Sequence, residues 1–243
     1  MRLAIPILRR VLDYALPPRC PACGTITEAD HRFCAPCWAR LEFVGPPWCA
    51  SCQSPFAFDR GAEALCGPCL AAPPRHDGVR AAVAYGDIAR DLALRLKYGG
   101  RTACAKTMAR VMARTLDGDI DVFVPVPLHR WRIWRRGYNQ AGLIADALSR
   151  QWAGSRRVDP LLRTRSTPAL RGMGPDARRR TVRGAFALRE GARRDVEDRN
   201  VVLVDDIYTS GATSDACVRL LKQAGARSVV VAVWARVLPG ESD

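Results

Sequence analysis

The stretch Val201-Val202-Leu203-Val204-Asp205-Asp206-Ile207-Tyr208-Thr209-Ser210-Gly211-Ala212-Thr213 decides the fold. Four branched apolar residues in succession describe a strand buried on both faces, as in a parallel sheet. Two adjacent carboxylates then stand where that strand is expected to end. A loop of small and hydroxyl residues leads into residues 213–224, where Ala216, Leu220, Leu221 and Ala224 recur at helical spacing. In an open α/β sheet, ligands bind at the carboxyl ends of the strands, and a helix N-terminus there offers free amides to an anion. The fold class expected is therefore α/β: a parallel sheet flanked by helices.

Each residue type in the stretch has a chemical use. Gly211 carries no side chain, so a phosphate can approach its backbone closely. Thr209, Ser210 and Thr213 add hydroxyl donors to the amides of the loop, Ala212 included. The helix dipole places partial positive charge at the same point. Asp205 and Asp206 repel a phosphate but suit the two hydroxyls of a ribose, or Mg2+ through water. A lone Asp-Asp pair is as well read as a βα turn with an acidic helix cap. The hydrophobic run, the acids and a T-S-G-x-T loop in that order favour a sugar-phosphate site.

The chain has 243 residues, 48% of them apolar, enough for one or two domains with a sizeable core. No apolar run reaches the ~18 residues of a membrane span. Residues 1–16 carry Arg2, Arg9, Arg10 and Asp13 and hold no long apolar core, so they read as a short amphipathic helix rather than a signal peptide. A cytoplasmic protein is expected. The net charge of +14 is uneven: residues 1–75 hold 8 Lys and Arg against 6 Asp and Glu, the remainder 30 against 18. Such a balance calls for anionic partners, phosphates first and nucleic acid second.

Eight of the ten cysteines form four C-x-x-C pairs: Cys20/Cys23, Cys34/Cys37, Cys49/Cys52 and Cys66/Cys69. Two intervening residues let both thiolates of a pair face one tetrahedral metal, and two pairs complete a site. Spacing admits consecutive or interleaved pairing, although short intervening loops make two successive ribbons simpler. A disulfide framework needs an oxidising compartment, for which no secretion signal speaks. Iron–sulfur ligation is a further rival, but four regular knuckles are closer to structural Zn2+. A segment of about 50 residues has too little core to fold alone, so the metal would be structural. Trp38, Trp48, Phe56 and Phe58 read as packing residues, Cys104 and Cys217 as core cysteines.

Residues 71–78, with Pro73, Pro74 and Gly78, mark a boundary between residues 1–72, an N-terminal helix and double zinc ribbon, and residues 76–238. Residues 79–85 read as a strand and 87–98 as a helix ending at Gly99-Gly100, where Lys97 alone would pass for a solvated helix end. Residues 121–126 give a second buried strand, leaving through Pro127, Leu128 and His129. A basic run with interleaved aromatics, Arg130 to Gln140, follows and leads into a helix over residues 139–152. As a strand-to-helix loop at the carboxyl edge, it favours anion contact. Residues 161–186 hold seven arginines and several glycines and read as a long mobile loop. Residues 229–234 are another buried strand, and 239–243 are expected to fray.

Residues 201–213 resemble the PRPP-binding signature of type I phosphoribosyltransferases. Together with Pro-Val-Pro-Leu-His at 125–129, Arg-Arg-Gly-Tyr-Asn-Gln-Ala at 135–141 and the cysteine knuckles, the chain resembles the ComF/GntX family over about residues 12–237. The resemblance implies that Asp205 and Asp206 contact the ribose hydroxyls of PRPP as the catalytic pair, and that Thr209, Ser210, Gly211, Ala212 and Thr213 hold its 5′-phosphate. It further assigns the diphosphate, with Mg2+, to Pro127, Leu128 and His129, with Lys97, Arg135, Arg136, Arg178 and Arg179 as basic partners. A loop at 161–186 would cover the site. Leu170 and Thr181 depart from that family's usual Gln and Asn. The family further implies a role in natural competence, with single-stranded DNA or a DNA-processing protein as partner. The other reading is an active phosphoribosyltransferase passing ribose 5-phosphate from PRPP to a nucleobase or amine.

Overall fold

The protein is described from a computed structural model covering residues 17–168 and 172–238. The helix expected over residues 1–16, the frayed end at 239–243 and Leu170 lie outside the described residues. In chain order the elements are α1 (Ala35–Ala39), α2 (Gly67–Ala71), β1 (Val79–Ala84), α3 (Asp87–Tyr98), α4 (Ala103–Met112), β2 (Val122–Pro125), α5 (Arg130–Arg136), α6 (Gln140–Ser149), β3 (Arg156–Arg157), β4 (Leu161–Arg163), α7 (Pro175–Val182), β5 (Phe186–Leu188), α8 (Arg193–Val196), β6 (Asn200–Tyr208), α9 (Ala212–Gln223) and β7 (Ser228–Arg236).

Five strands form one parallel sheet in the order β1-β7-β6-β2-β3. Valine and leucine runs in β6 and β7 sit centrally because both faces of those strands are covered. Period-two alternation sends Val201 and Leu203 into a core with Cys217, Val218 and Leu221 of α9. Val202 and Val204 enter the opposite core, with Leu92 and Leu96 of α3, Met108 and Met112 of α4, and Ile144 of α6. Trp234 lies fully buried there, its indole N–H donating to the Ala89 carbonyl at 3.0 Å.

The chain leaves β2 toward β3 on one side and leaves β6 toward β7 on the other. The crevice between β2 and β6 is thus the point where strand order reverses, the place where such sheets bind ligands. Strand β6 does not end at its acids. Its ladder with β2 stops at Val204, while its ladder with β7 continues to Tyr208. The acids therefore stand on an overhanging strand at the crevice rather than at a strand end, because β7 is long enough to pair with them and β2 is not.

The cysteine-rich segment packs directly on the sheet. Cys20, Cys37 and Leu41 belong to the core of α3 and α4, and Cys49, Cys52 and Cys69 to the core of α9. Between them, residues 42–44 lie antiparallel along β1: the Val44 amide donates to Ala82 and the Ala84 amide to Glu42. This covers the edge of the sheet that β1 would otherwise expose. Trp38 packs against Phe43 and Phe33, and Phe33 stacks on Trp234. Trp38 is thus a packing residue, whereas Phe58 is largely exposed beneath Arg60.

Two segments expected as loops are ordered differently. The basic run is a two-turn helix, α5, closed by Gly137 in the left-handed conformation. Residues 161–186 are bracketed by an antiparallel pair, β4 with β5, and carry α7, which packs on α9. Gly172, Gly174 and Pro175 suggest a mobile loop, but Val182, Ala185 and Phe186 anchor the later part of the segment, from α7 onward, in the α9 core.

Candidate ligand site and metal centres

Consecutive pairs of knuckles converge into two groups, Cys20/Cys23/Cys34/Cys37 and Cys49/Cys52/Cys66/Cys69, with all sulfurs in each group within 4.8 Å of one another. A tetrahedral Zn2+ about 2.3 Å from each thiolate sets its sulfurs about 3.8 Å apart. Cys23 and Cys34 are 3.6 Å apart, and Cys52 and Cys66 3.7 Å. All eight are free of disulfides. The second knuckle of each group opens a helix, with Cys34 and Cys66 as N-caps and a proline in the first turn. The same turn thus presents its two thiolates to each ion. The donor sets are all-thiolate and closed, as structural zinc requires.

The ligand crevice is built around β6 and the turn into α9. Gly211 caps α9 with φ +75°, and a Cβ there would run into the Tyr208 ring. The turn, from Asp205 through Ser214, encloses a cavity of about 40 Å³. Ser210 directs a hydroxyl that is buried without a hydrogen-bond partner. That volume and unpartnered donor, at a helix N-terminus, fit one phosphate group.

Successive β residues point to opposite faces, so the two acids diverge. Asp206 lies on the α3 side, where Lys97 Nζ sits 2.6 Å from its carboxylate. Gln140 donates to the same carboxylate at 3.5 Å, and Arg136 donates in turn to Gln140. Burial pushes the Asp206 carboxyl up, but the Lys97 charge and its hydrogen bond outweigh burial and hold it below the usual range. Asp205 lies on the α9 side, its carboxylate accepting the Asp206 amide at 2.9 Å. Burial, and after it the charge of Asp206, push its carboxyl up to about 8. Lys97 is thus an ion-paired member of the site rather than a solvated helix end.

The Arg-Arg-Gly-Tyr-Asn-Gln motif divides into positioning tasks. Tyr138 donates its hydroxyl to the Leu96 carbonyl, tying α6 to the helix end that carries Lys97. Asn139 donates to the Val126 carbonyl at 3.0 Å and caps α6 by accepting from the Ala141 amide. Arg136 lies over the Tyr98 ring. Gln140, Tyr138 and Asn139 were not singled out as site residues. Their pattern in the motif was visible, but their partners lie far off in sequence.

The remaining expected residues separate. His129 is buried and caps α5 through Nδ1, with Pro127 and Leu128 half-buried at the β2 exit. Arg178 is buried and donates Nε–H to the Met173 carbonyl at 2.8 Å, while Arg179 pairs with Asp176. Both line a cavity of about 1260 Å³ with Tyr208, Thr209 and Ser210 on one side and Cys52 and Cys69 of the second ribbon on the other. Arg135 is exposed on α5 and joins none of these groups.

Asp215, in the first turn of α9, lines the same large cavity. Burial pushes its carboxyl up to about 6, with Arg179 opposing. A carboxyl raised on folding stabilises the fold only below its unfolded value and loses that contribution as pH rises through 6. Asp215→Asn is therefore expected to raise stability in urea by about 2 kcal/mol at pH 8 and by about half that at pH 5. A variant no more stable than wild type at pH 8 would remove burial as the governing effect at this position.

A cysteine-rich double ribbon ahead of a parallel sheet with an acid-and-phosphate-loop crevice defines a zinc-ribbon protein with a phosphoribosyltransferase-type domain. Family models agree: residues 11–70 match the double zinc ribbon domain and residues 135–242 the phosphoribosyl transferase domain. The chain is 30% identical to Competence protein F of Haemophilus influenzae, over 88% of this chain and 94% of that protein. It is 29% identical to the DNA utilization protein YhgH of Escherichia coli, over 90% of each. The chain belongs to the competence protein F (ComF) family. Among solved structures it is similar to the glutamine PRPP amidotransferase of B. subtilis, complexed with ADP and GMP, at 21% identity and a TM-score of 0.40. That match covers 57% of this chain and 30% of that one. Among the described residues, no helix is long and apolar enough to cross a membrane.

Proposed function

We propose that this protein binds PRPP with Mg2+ in the β2/β6 crevice and serves in the uptake and processing of DNA during natural competence. The observation that carries the ligand is the β6–α9 turn, where a buried, unpartnered Ser210 hydroxyl and Gly211 frame a phosphate-sized cavity directly after the two acids. In this reading Thr209 to Thr213 hold the 5′-phosphate and Asp205 and Asp206 receive the ribose hydroxyls. Lys97, oriented by Asp206, faces the diphosphate together with the β2 exit. Mg2+ would neutralise the diphosphate, and paired carboxylates suit such a hard ion through water. The DNA role is carried over from the relatives named for competence and DNA utilization, and the basic surface of the chain suits it.

Calorimetric titration with Mg-PRPP tests the site. Asp205→Asn/Asp206→Asn is expected to weaken binding about a hundredfold, since a hydrogen bond to the ionised Asp206 contributes ~1.5–3 kcal/mol and one to the largely protonated Asp205 ~0.5–1.5 kcal/mol. Unchanged affinity in a folded double variant refutes the ribose assignment. Pyrophosphate release on adding nucleobases or amines would extend binding to transfer.

A further inference from the structure

The helix α5 is divided lengthwise. On one side Arg132 donates to the Thr167 carbonyl at 2.7 Å and Arg136 donates to Gln140, so this side is fastened to the segment that carries α7 and to the Asp206 network. The other side, formed by Arg130, Trp131, Trp134 and Arg135 at i, i+1, i+4 and i+5, faces solvent. Trp131 is 61% exposed and Trp134 78% exposed, their rings meeting edge to face at 6.0 Å. Two indoles this exposed on one helix are a large apolar investment with no partner but each other among the described residues. Among the described residues neither Arg130 nor Arg135 has an ion pair or hydrogen bond, so two positive charges flank the indoles uncompensated.

We infer that this face is a stacking platform for single-stranded nucleic acid. The chemistry of the face selects the ligand. Exposed aromatic rings offer their faces to unpaired bases, which a duplex keeps stacked internally, and the two guanidiniums meet the adjoining phosphates. An apolar peptide would leave the arginines unmatched, and an acidic one would leave the rings unused. The platform sits on the element that follows β2 and is tied through Arg136 and Gln140 to Asp206, so a strand bound there lies beside the crevice. The inference rests on the DNA-handling part of the proposed function and is independent of its PRPP part.

Quenching of tryptophan fluorescence and anisotropy of a labelled oligothymidylate, measured on the zinc-loaded full chain, test it. Trp131→Ala/Trp134→Ala is expected to weaken single-strand binding roughly ten- to a hundredfold, given typical losses per stacked base. Trp131→Phe/Trp134→Phe should retain most of the affinity. Arg130→Gln/Arg135→Gln should reduce the slope of log K against log salt by about 1.4, two phosphates at ~0.7 each. Mg-PRPP affinity should be unchanged in the two tryptophan variants, and a duplex of equal length should bind without dependence on the two tryptophans. If wild type binds single strands and the double alanine variant binds them equally well, the platform is refuted while the DNA role stands. If wild type binds no single strand, both fall. A drop in sedimentation mass in the alanine variant, with binding unaltered, would instead make the face an interface between copies of this chain and overturn the inference.

Discussion

Replacing Cys52 and Cys69 by serine is expected to unfold more than the ribbon that contains them. Both side chains lie in the packed cluster that includes Val79, Val229 and Val231 of the sheet and Leu221 of α9. Arg236, buried at the end of β7, donates to the Cys52 carbonyl and lies over the Tyr208 ring. Tyr208 is in turn the residue against which Gly211 turns. The second zinc site is thus two contacts away from the β6–α9 turn. Structural zinc supplies an apparent ~10–16 kcal/mol of folding free energy in small ribbons, comparable to the whole ~5–15 kcal/mol stability of a typical domain. Two ligands cannot retain the ion, so metal analysis should fall from two zincs to one per chain. The melting temperature should drop by more than ten degrees, on the scale of about 2–4 °C per kcal/mol. Mg-PRPP binding should be lost with it. The matching change in the first ribbon, Cys20→Ser/Cys23→Ser, removes support from α3 and α4, and its described contacts do not reach the β6–α9 turn. It should lower the melting temperature while sparing PRPP affinity more. Equal PRPP affinities for wild type and the Cys52/Cys69 variant would sever the proposed link.

Lys97→Met is expected to be the most costly single substitution in the crevice. Asp206 has a side chain only 5% exposed and Lys97 one 22% exposed, so removing the lysine leaves a buried carboxylate with Gln140 and the neighbouring Asp205 but no cation. Breaking such a pair costs about 3 kcal/mol at its lower end, suited to a partly exposed lysine. Without Lys97, the largest opposing influence is gone, and burial, countered only by the hydrogen bonds with Asp205 and Gln140, is expected to raise the Asp206 carboxyl on folding. The sign then reverses relative to wild type. The carboxyl of the variant contributes stability below its unfolded value and loses it as pH rises, so the deficit should shrink on acidification. Lys97→Met/Asp206→Asn should recover most of the stability, because both charges leave together. It should not recover PRPP affinity if, as proposed, Asp206 receives the ribose and Lys97 the diphosphate. Urea midpoints and PRPP titrations on the single and double variants read both outcomes. Stability that stays low in the double variant would mean Lys97 acts through its alkyl stem rather than its charge.

Residues 201–213, 229–234 and the four C-x-x-C pairs announced a parallel α/β sheet, its carboxyl-edge loop and two metal sites. These signals are local: period, branching and knuckle spacing act within a dozen residues. Even so, the knuckle spacing left consecutive and interleaved pairing open, and only the convergence of the sulfurs settles it as consecutive. The basic run at 130–136 misled because charge speaks of solvent and not of conformation. His129 and Gly137, at its two ends, close it into a helix. The glycines and proline at 172–175 speak for a loop, but Val182 and Phe186 determine where the part from α7 onward packs.

Sequence by itself determined the central strands and helices of the sheet, the residue chemistry of the β6–α9 turn and the cysteines of the two metal sites. The tertiary structure decided that Asp205 and Asp206 start from opposite faces of the sheet and that Lys97 and Gln140 pair with Asp206 rather than Asp205. It decided that each ribbon supports a different core, and that Arg236 joins the second ribbon to the β6–α9 turn. Those relations join residues tens to well over a hundred positions apart, from Asp206 to Gln140 and from Arg236 to Cys52. They are fixed by strand order and register, which bring distant side chains together and which no local pattern encodes.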